Sequence, residues 1–172
     1  MDLEATLEDL APRLLRYTRG LAPDPALAEE AAQEALTALV ARWRRLGPPD
    51  EPAAFAFVVA RRRLHRARWK RRFFEPLESW LEGGGAKTPT PSPGSDPENR
   101  AQVRQDLDRT LAALSGLPAE QREALLLTVA GEVDVASAAS ILGISRSAVK
   151  MRVHRARQKL LGILEKNDGR SA

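Results

Sequence analysis

The sequence has no cysteine, two histidines, and one tyrosine among few aromatic residues. Without cysteine there can be no disulfide, no thiolate metal site and no thiol nucleophile. His65 and His154 both stand inside basic runs, so neither joins a metal cluster or a nucleophile constellation. No metal and no cofactor are expected, and an enzyme is the weakest reading. No apolar run reaches the roughly 18 residues that a membrane span needs, and no signal-peptide pattern opens the chain. The expectation is a cytoplasmic protein with no membrane segment of its own. Sustained period-two alternation is missing as well, which leaves an all-α fold.

Acids are absent over one stretch that is otherwise rich in charge. No Asp or Glu occurs from Ser145 to Leu164. Residues 61 to 72 hold eight arginines and lysines and no acid, whereas residues 1 to 34 hold eight acids against three arginines. With a net charge of +4 and a pI near 9.9, a polyanionic partner fits. The uneven spread suggests two partners of opposite sign.

The most organised stretch is Asp134 to Lys159. Asp134 is suited to cap a short helix in which Val135, Ala138, Ala139 and Leu142 share a face. Gly143 follows, where helices commonly end in a left-handed residue. Ser145 is suited to cap a second helix with Val149, Val153, Ala156 and Leu160 on its inner stripe. Its other positions carry Arg146, Lys150, Arg152, His154, Arg155, Arg157 and Lys159. An apolar helix, a glycine turn and a cationic second helix make a helix-turn-helix. A basic face is often only solvated surface, and a small-residue pair often only core. Caps and turn in register are what favour DNA. Arg146, Ser147 and Lys150 are the candidate base-edge readers, and Arg152, Arg155 and Arg157 the candidate phosphate contacts.

Upstream, Leu3 to Leu21 reads as an amphipathic helix with Leu3, Leu7, Leu10, Leu14, Tyr17 and Leu21 on one face. Asp24 and Pro25 open a second helix, Ala26 to about Leu46, whose inner stripe is Leu27, Ala31, Ala35, Leu39 and Trp43. The prolines of residues 47 to 52 make a loop. A third helix, from about Pro52 to Phe73, begins apolar and ends as RRRLHRARWKRRF. Arginines interleaved with aromatics suit unpaired nucleic acid, where rings stack on bases and guanidinium groups take phosphates. Arg61, Arg62, Arg66, Arg68, Trp69 and Arg71 are the candidates there, although Trp69 and Phe73 would serve equally to close a helical core.

Residues 83 to 97 are low-complexity glycine, proline, serine and threonine, a linker averaging roughly 21 Å end to end if flexible. The expected organisation is two small helical domains, residues 1–82 and 98–166, joined by the flexible linker 83–97 and followed by a polar tail, 167–172. The second domain would open with Glu98 to Leu114, carrying Val103, Leu107, Leu111 and Leu114 on one face. Ala119 to Ala130, apolar nearly all round, would be its buried hub.

The run LSGLPAEQREALLL…ILGISRSAVKMRVHRARQKL resembles the promoter-reading domain of bacterial extracytoplasmic-function (ECF) RNA polymerase sigma factors. Gln121-Arg122-Glu123, Leu142-Gly143-Ile144-Ser145, Val149-Lys150 and His154-Arg155-Ala156-Arg157 carry the likeness. DPALAEEAAQEAL is similar to that family's polymerase-docking helix, with Gln33-Glu34 its most recognisable pair. The helix from Phe55 to Arg72 is similar to the one that reads the melted minus-10 element. The family's usual Asn and Asp are replaced here by Arg62 and Arg66, and its Thr and Ser around Val149-Lys150 by Ala148 and Met151. The resemblance implies an alternative sigma factor with core RNA polymerase and promoter DNA as partners, and it admits an anti-sigma factor. It implies docking through Glu30, Gln33 and Glu34, minus-10 binding by the arginine-rich helix and minus-35 binding by the C-terminal helix. The rival reading is a helix-turn-helix regulator that binds duplex DNA without docking on polymerase.

Overall fold

The computed structural model describes residues 2–78 and 97–168. Among them are seven α-helices and no strand. The first three, α1 (Leu3–Leu21), α2 (Pro25–Leu46) and α3 (Pro52–Glu78), pack on one another. The other four are α4 (Pro97–Ser115), α5 (Ala119–Val129), α6 (Val135–Leu142) and α7 (Arg146–Asp168).

Local chemistry sets the helix starts. The Asp2 carboxylate accepts from the Ala5 amide at 3.1 Å, and that of Asp24 accepts from the Leu27 amide at 2.8 Å. Each satisfies one of the amides that a helix start leaves without an internal partner. Pro25 follows Asp24 at the first position of α2, as expected. Alanines on the inner side of α2, Ala28, Ala31, Ala32 and Ala35, are all buried and let the neighbouring helices approach closely. Between them lie Leu10, Leu14, Leu39, Phe57 and Leu64. Tyr17 meets Phe57 edge to face, centroids 5.2 Å apart, an arrangement favoured by the ring quadrupoles.

In the second group α5 is the hub, as anticipated. Leu125, Leu126 and Leu127 are buried, and α5 touches α1, α6 and α7. Four details differ from expectation. α3 runs on to Glu78, past Phe73 and through Pro76, and α7 continues through residues 167 and 168, into the stretch expected as a polar tail. Val129 is exposed at the end of α5. Val103 and Leu107 of α4 are also exposed, at 59% and 46%, so only the C-terminal end of that helix, Ala113 and Leu114, enters the core. Amphipathic spacing shows which face could be buried and does not supply a partner for it. Most of the linker, residues 83–96, and tail residues 169–172 lie outside the described residues.

The two groups pack against each other over one continuous apolar cluster running from Leu10 to Ala156. Arg13 Nε donates to the Gly131 carbonyl at 3.0 Å, and Arg16 Nε to that of Ala130 at 3.2 Å. Arg16 also pairs with Glu132 at 2.5 Å. Two guanidinium groups thus cap the C-terminal end of α5, where the helix dipole is negative. Gly131 is required at this seam, because a Cβ there would stand 2.7 Å from the Leu127 carbonyl and 2.9 Å from the Phe57 ring.

Candidate nucleic-acid interface

The helix-turn-helix is assembled as its residues dictate. Asp134 accepts from the amides of Ala136 and Ser137 at 2.8 and 3.0 Å and from the Ser137 hydroxyl at 2.7 Å. The Ser137 hydroxyl bond, then the amide bonds, hold the Asp134 carboxyl below the usual carboxylate range. Gly143 is left-handed, with φ 68° and ψ 36°, a conformation that costs glycine little. Its amide donates to Ser140, and that of Ile144 to Ala139 at 3.1 Å, closing a Schellman motif. The Ser145 hydroxyl accepts from the Ala148 amide at 3.1 Å and starts α7. Val149 and Ala156 are fully buried, with Val153 and Leu160 packed beside them.

That register decides what faces outward. Arg146, Ser147, Lys150, Arg155 and Arg157 are all exposed. The Ser147 hydroxyl lies 3.0 Å from that of Ser145, so one of these two donates to the other. Arg152 differs: it is half-buried and pairs with Glu120 of α5 at 2.8 Å. With 3.6 residues per turn, the line opposite Val149, Val153 and Ala156 runs through Ser147, Met151, His154 and Gln158. Met151 is 50% exposed at the middle of that line, an apolar side chain among cations. In the sequence Met151 stands out only as a departure from the residue usual in the family at that position. The signal was present in the helix register, once the buried stripe is used to find its opposite.

On α3 the arginines divide. Arg62, Arg66 and Arg68 are exposed and have no acidic partner among the described residues. Arg61 is half-buried and pairs through Nε with Glu123 Oε1 of α5 at 2.9 Å, and His65 Nε2 lies 3.0 Å from the same oxygen. The side chains of Trp69 and Arg71 lie outside the described residues. Burial lowers the Arg122 pKa below its ordinary value, and the nearby Arg68 guanidinium adds to that. Burial also raises the Tyr17 pKa, with the Glu123 carboxylate as the next cause.

On α2, Glu30, Gln33 and Glu34 share an exposed face beside a shallow groove completed by Thr37, Ala38, Ala41 and Arg63. Arg63 of α3 pairs with Glu30 at 2.7 Å and with Glu34 at 3.2 Å. The acids are therefore held in position and partly neutralised from within the chain. Nothing in its local sequence separates Arg63 from Arg61 and Arg62. No group of His, Asp and Glu suited to hold a metal ion occurs among the described residues. No described helix is long and apolar enough to cross a membrane.

Comparisons with known proteins bear on this geometry. Residues 6–73 match the family model of sigma-70 region 2, and residues 107–160 that of sigma-70 region 4. The ECF RNA polymerase sigma factor EcfG of Rhodopseudomonas palustris is 31% identical over 153 residues, covering 89% of this chain and 80% of that protein. The ECF RNA polymerase sigma factor ShbA of Streptomyces griseus is 30% identical over 169 residues, covering 95% of this chain and 86% of that one. Among solved structures, the sigma factor RpoE of Bartonella quintana, crystallised with the anti-sigma factor NepR, is similar with a TM-score of 0.71 and 26% identity. The match covers 94% of this chain and 96% of that one.

Proposed function

The chain belongs to the ECF RNA polymerase sigma factors, and from that premise we propose which of its residues do the work of an initiation subunit. As an alternative sigma factor it acts with core RNA polymerase on promoter DNA and directs where transcription starts. It works in the cytoplasm alongside the polymerase, and the covalent chemistry stays with the polymerase. An anti-sigma factor is a further partner, by analogy with the Bartonella quintana relative.

Helices α1 to α3 form the unit for polymerase docking and minus-10 binding. α4 to α7 form the unit for the minus-35 element, with residues 83–97 as the tether. The observation that carries this reading is the exposed cationic face of α7, held out by a capped and glycine-turned helix pair whose apolar stripe packs on the core. A helix so presented enters the major groove by its N-terminal turns. Ser147 and Lys150 there meet base edges, together with Arg146. Arg155 and Arg157 reach phosphates further along, and Arg152 joins them only by giving up Glu120. On α3, Arg62, Arg66 and Arg68 bind the backbone of the unpaired strand, with Arg61, Trp69 and Arg71 completing that surface. Docking falls to Glu30, Gln33 and Glu34.

The test is a titration of core polymerase with the full chain. Gln33→Ala combined with Glu34→Lys removes the amide, reverses one charge and sets an ammonium group against Arg63. The pair of changes should weaken binding by about 1–3 kcal/mol. Binding of the same variant to a minus-35 duplex should be unchanged. Undiminished polymerase affinity would remove the α2 face from this assignment.

A further inference from the structure

We propose that the seam between α3 and α5 holds a small-anion site, in which the guanidinium groups of Arg68 and Arg122 take a dianionic phosphoryl group, that of a phosphate monoester or of inorganic phosphate.

The site follows from a surplus of basic groups. Arg61, His65 and Arg68 recur at i, i+4 and i+7, and so lie along one line of α3. Arg61 Nε and His65 Nε2 both meet Glu123 Oε1 of α5, at 2.9 and 3.0 Å. Arg68 stands one turn beyond His65, and Arg122 comes immediately before Glu123 on α5. These two guanidinium groups are close enough across the seam to repel. Three guanidinium groups therefore gather around one carboxylate, which is taken by Arg61 and the imidazole. Glu120, the other acid of α5, is turned to Arg152 of α7 at 2.8 Å. Arg68 and Arg122 have no acidic partner among the described residues.

Arg122 marks where the ligand sits. Its Nε is buried without a hydrogen-bond partner. Burial lowers the pKa of the group, and the charge of Arg68 lowers it further. A half-buried cation that faces a second cation is unfavourable until an anion joins the two. Arginine suits that role, because its planar fork matches pairs of phosphate oxygens. Arg68 is exposed, so one side of the site is open to solvent and an anion enters without the helices parting.

Charge selects the ligand. With Glu123 matched to Arg61, the charges of Arg68 and Arg122 remain. A phosphate monoester carries about 1.5–2 negative charges at neutral pH, with three strong acceptor oxygens. A phosphodiester of nucleic acid carries a single charge and leaves one guanidinium uncompensated. The site thus differs in preference from the strand-binding surface of α3, although Arg68 belongs to both.

The experiment uses the full chain, isotopically labelled, and two probes at constant ionic strength. Methyl phosphate supplies the dianion, and dimethyl phosphate the monoanionic diester of a nucleic-acid backbone. The arginine Nε–H resonances are followed by NMR through each titration. Methyl phosphate should shift the resonances of Arg68 and Arg122, identified by their loss in Arg68→Gln and Arg122→Gln. It should bind about tenfold more tightly than dimethyl phosphate. Each of those variants should weaken methyl phosphate binding by about tenfold or more. Arg45→Gln, at an exposed arginine near the C-terminal end of α2, should leave it unchanged. Arg68→Gln, at an exposed position, decides alone if Arg122→Gln loses its helical circular dichroism. Methyl phosphate that fails to bind wild type, or that binds Arg68→Gln as tightly as wild type, overturns the site. Equal affinity for the two probes gives the pair to a nucleic-acid backbone and overturns the proposal of a small-anion site.

Discussion

Replacing Met151 with alanine should erase the protein's sensitivity to one thymine methyl group. The side chain stands opposite the buried stripe of α7 and is 50% exposed. The C5-methyl of thymine is the apolar feature of the major-groove floor. Fully burying a methionine side chain is worth about 1.5–3 kcal/mol. Half of that burial is already realised within the protein, so contact with a methyl group stands to contribute about 1 kcal/mol, or roughly fivefold in affinity. The assay is a double-mutant cycle. Each thymine of a selected minus-35 duplex is replaced in turn by deoxyuridine, which deletes only the methyl, and holoenzyme binding is measured for wild type and Met151→Ala. Wild type should lose about fivefold at one position, and the variant should lose nothing there. Equal deoxyuridine penalties in the two proteins at every position would refute the orientation of α7 in the groove.

Two further outcomes follow from the same geometry. Lys150→Ala should cost about 1–3 kcal/mol on the preferred site and relax choice at one base pair, whereas Arg155→Ala should weaken all duplexes alike and lower the salt slope by about one; binding-site selection on both variants checks this. Asp134→Ala removes the acceptor of three hydrogen bonds at the start of α6 and should destabilise the protein by about 1 kcal/mol in thermal or urea unfolding. The folded state depresses the Asp134 pKa, so the stabilisation is present above its unfolded value and lost as pH falls through the folded one. Wild type and variant should therefore converge in stability in acid.

Much of this molecule could be read from its sequence because the relevant physics is local. Asp24 with Pro25, Asp134, Gly143 and Ser145 each act within four residues, and each does in the structure what its type and spacing imply. The buried stripes of α1, α2 and α7 were legible for the same reason, since helical periodicity is a short-range property. What escaped was long-range. Arg13 reaches a carbonyl 118 residues away, and Arg61 an acid 62 residues away. No periodicity announces such pairs, so the packing of the two helical units on each other had no signature in the sequence. The same limit hid the partners of Arg63 and Arg152, each one cation within a run of similar ones. It also left Val103 and Leu107 looking like core, because amphipathic spacing is identical whether or not a partner helix is present. Within the candidate site, sequence supplied the cationic residues of α7, and structure supplied which of them are free and that Met151 stands among them.

This chain gives promoter specificity to a polymerase that has none alone. Run-off transcription with purified core RNA polymerase and a library of genomic fragments measures that directly. Transcripts with defined starts that require both components are expected, from fragments sharing two sequence elements about two helical turns apart. Defined starts that appear without the chain, or none when it is added at saturating concentration, would refute that role.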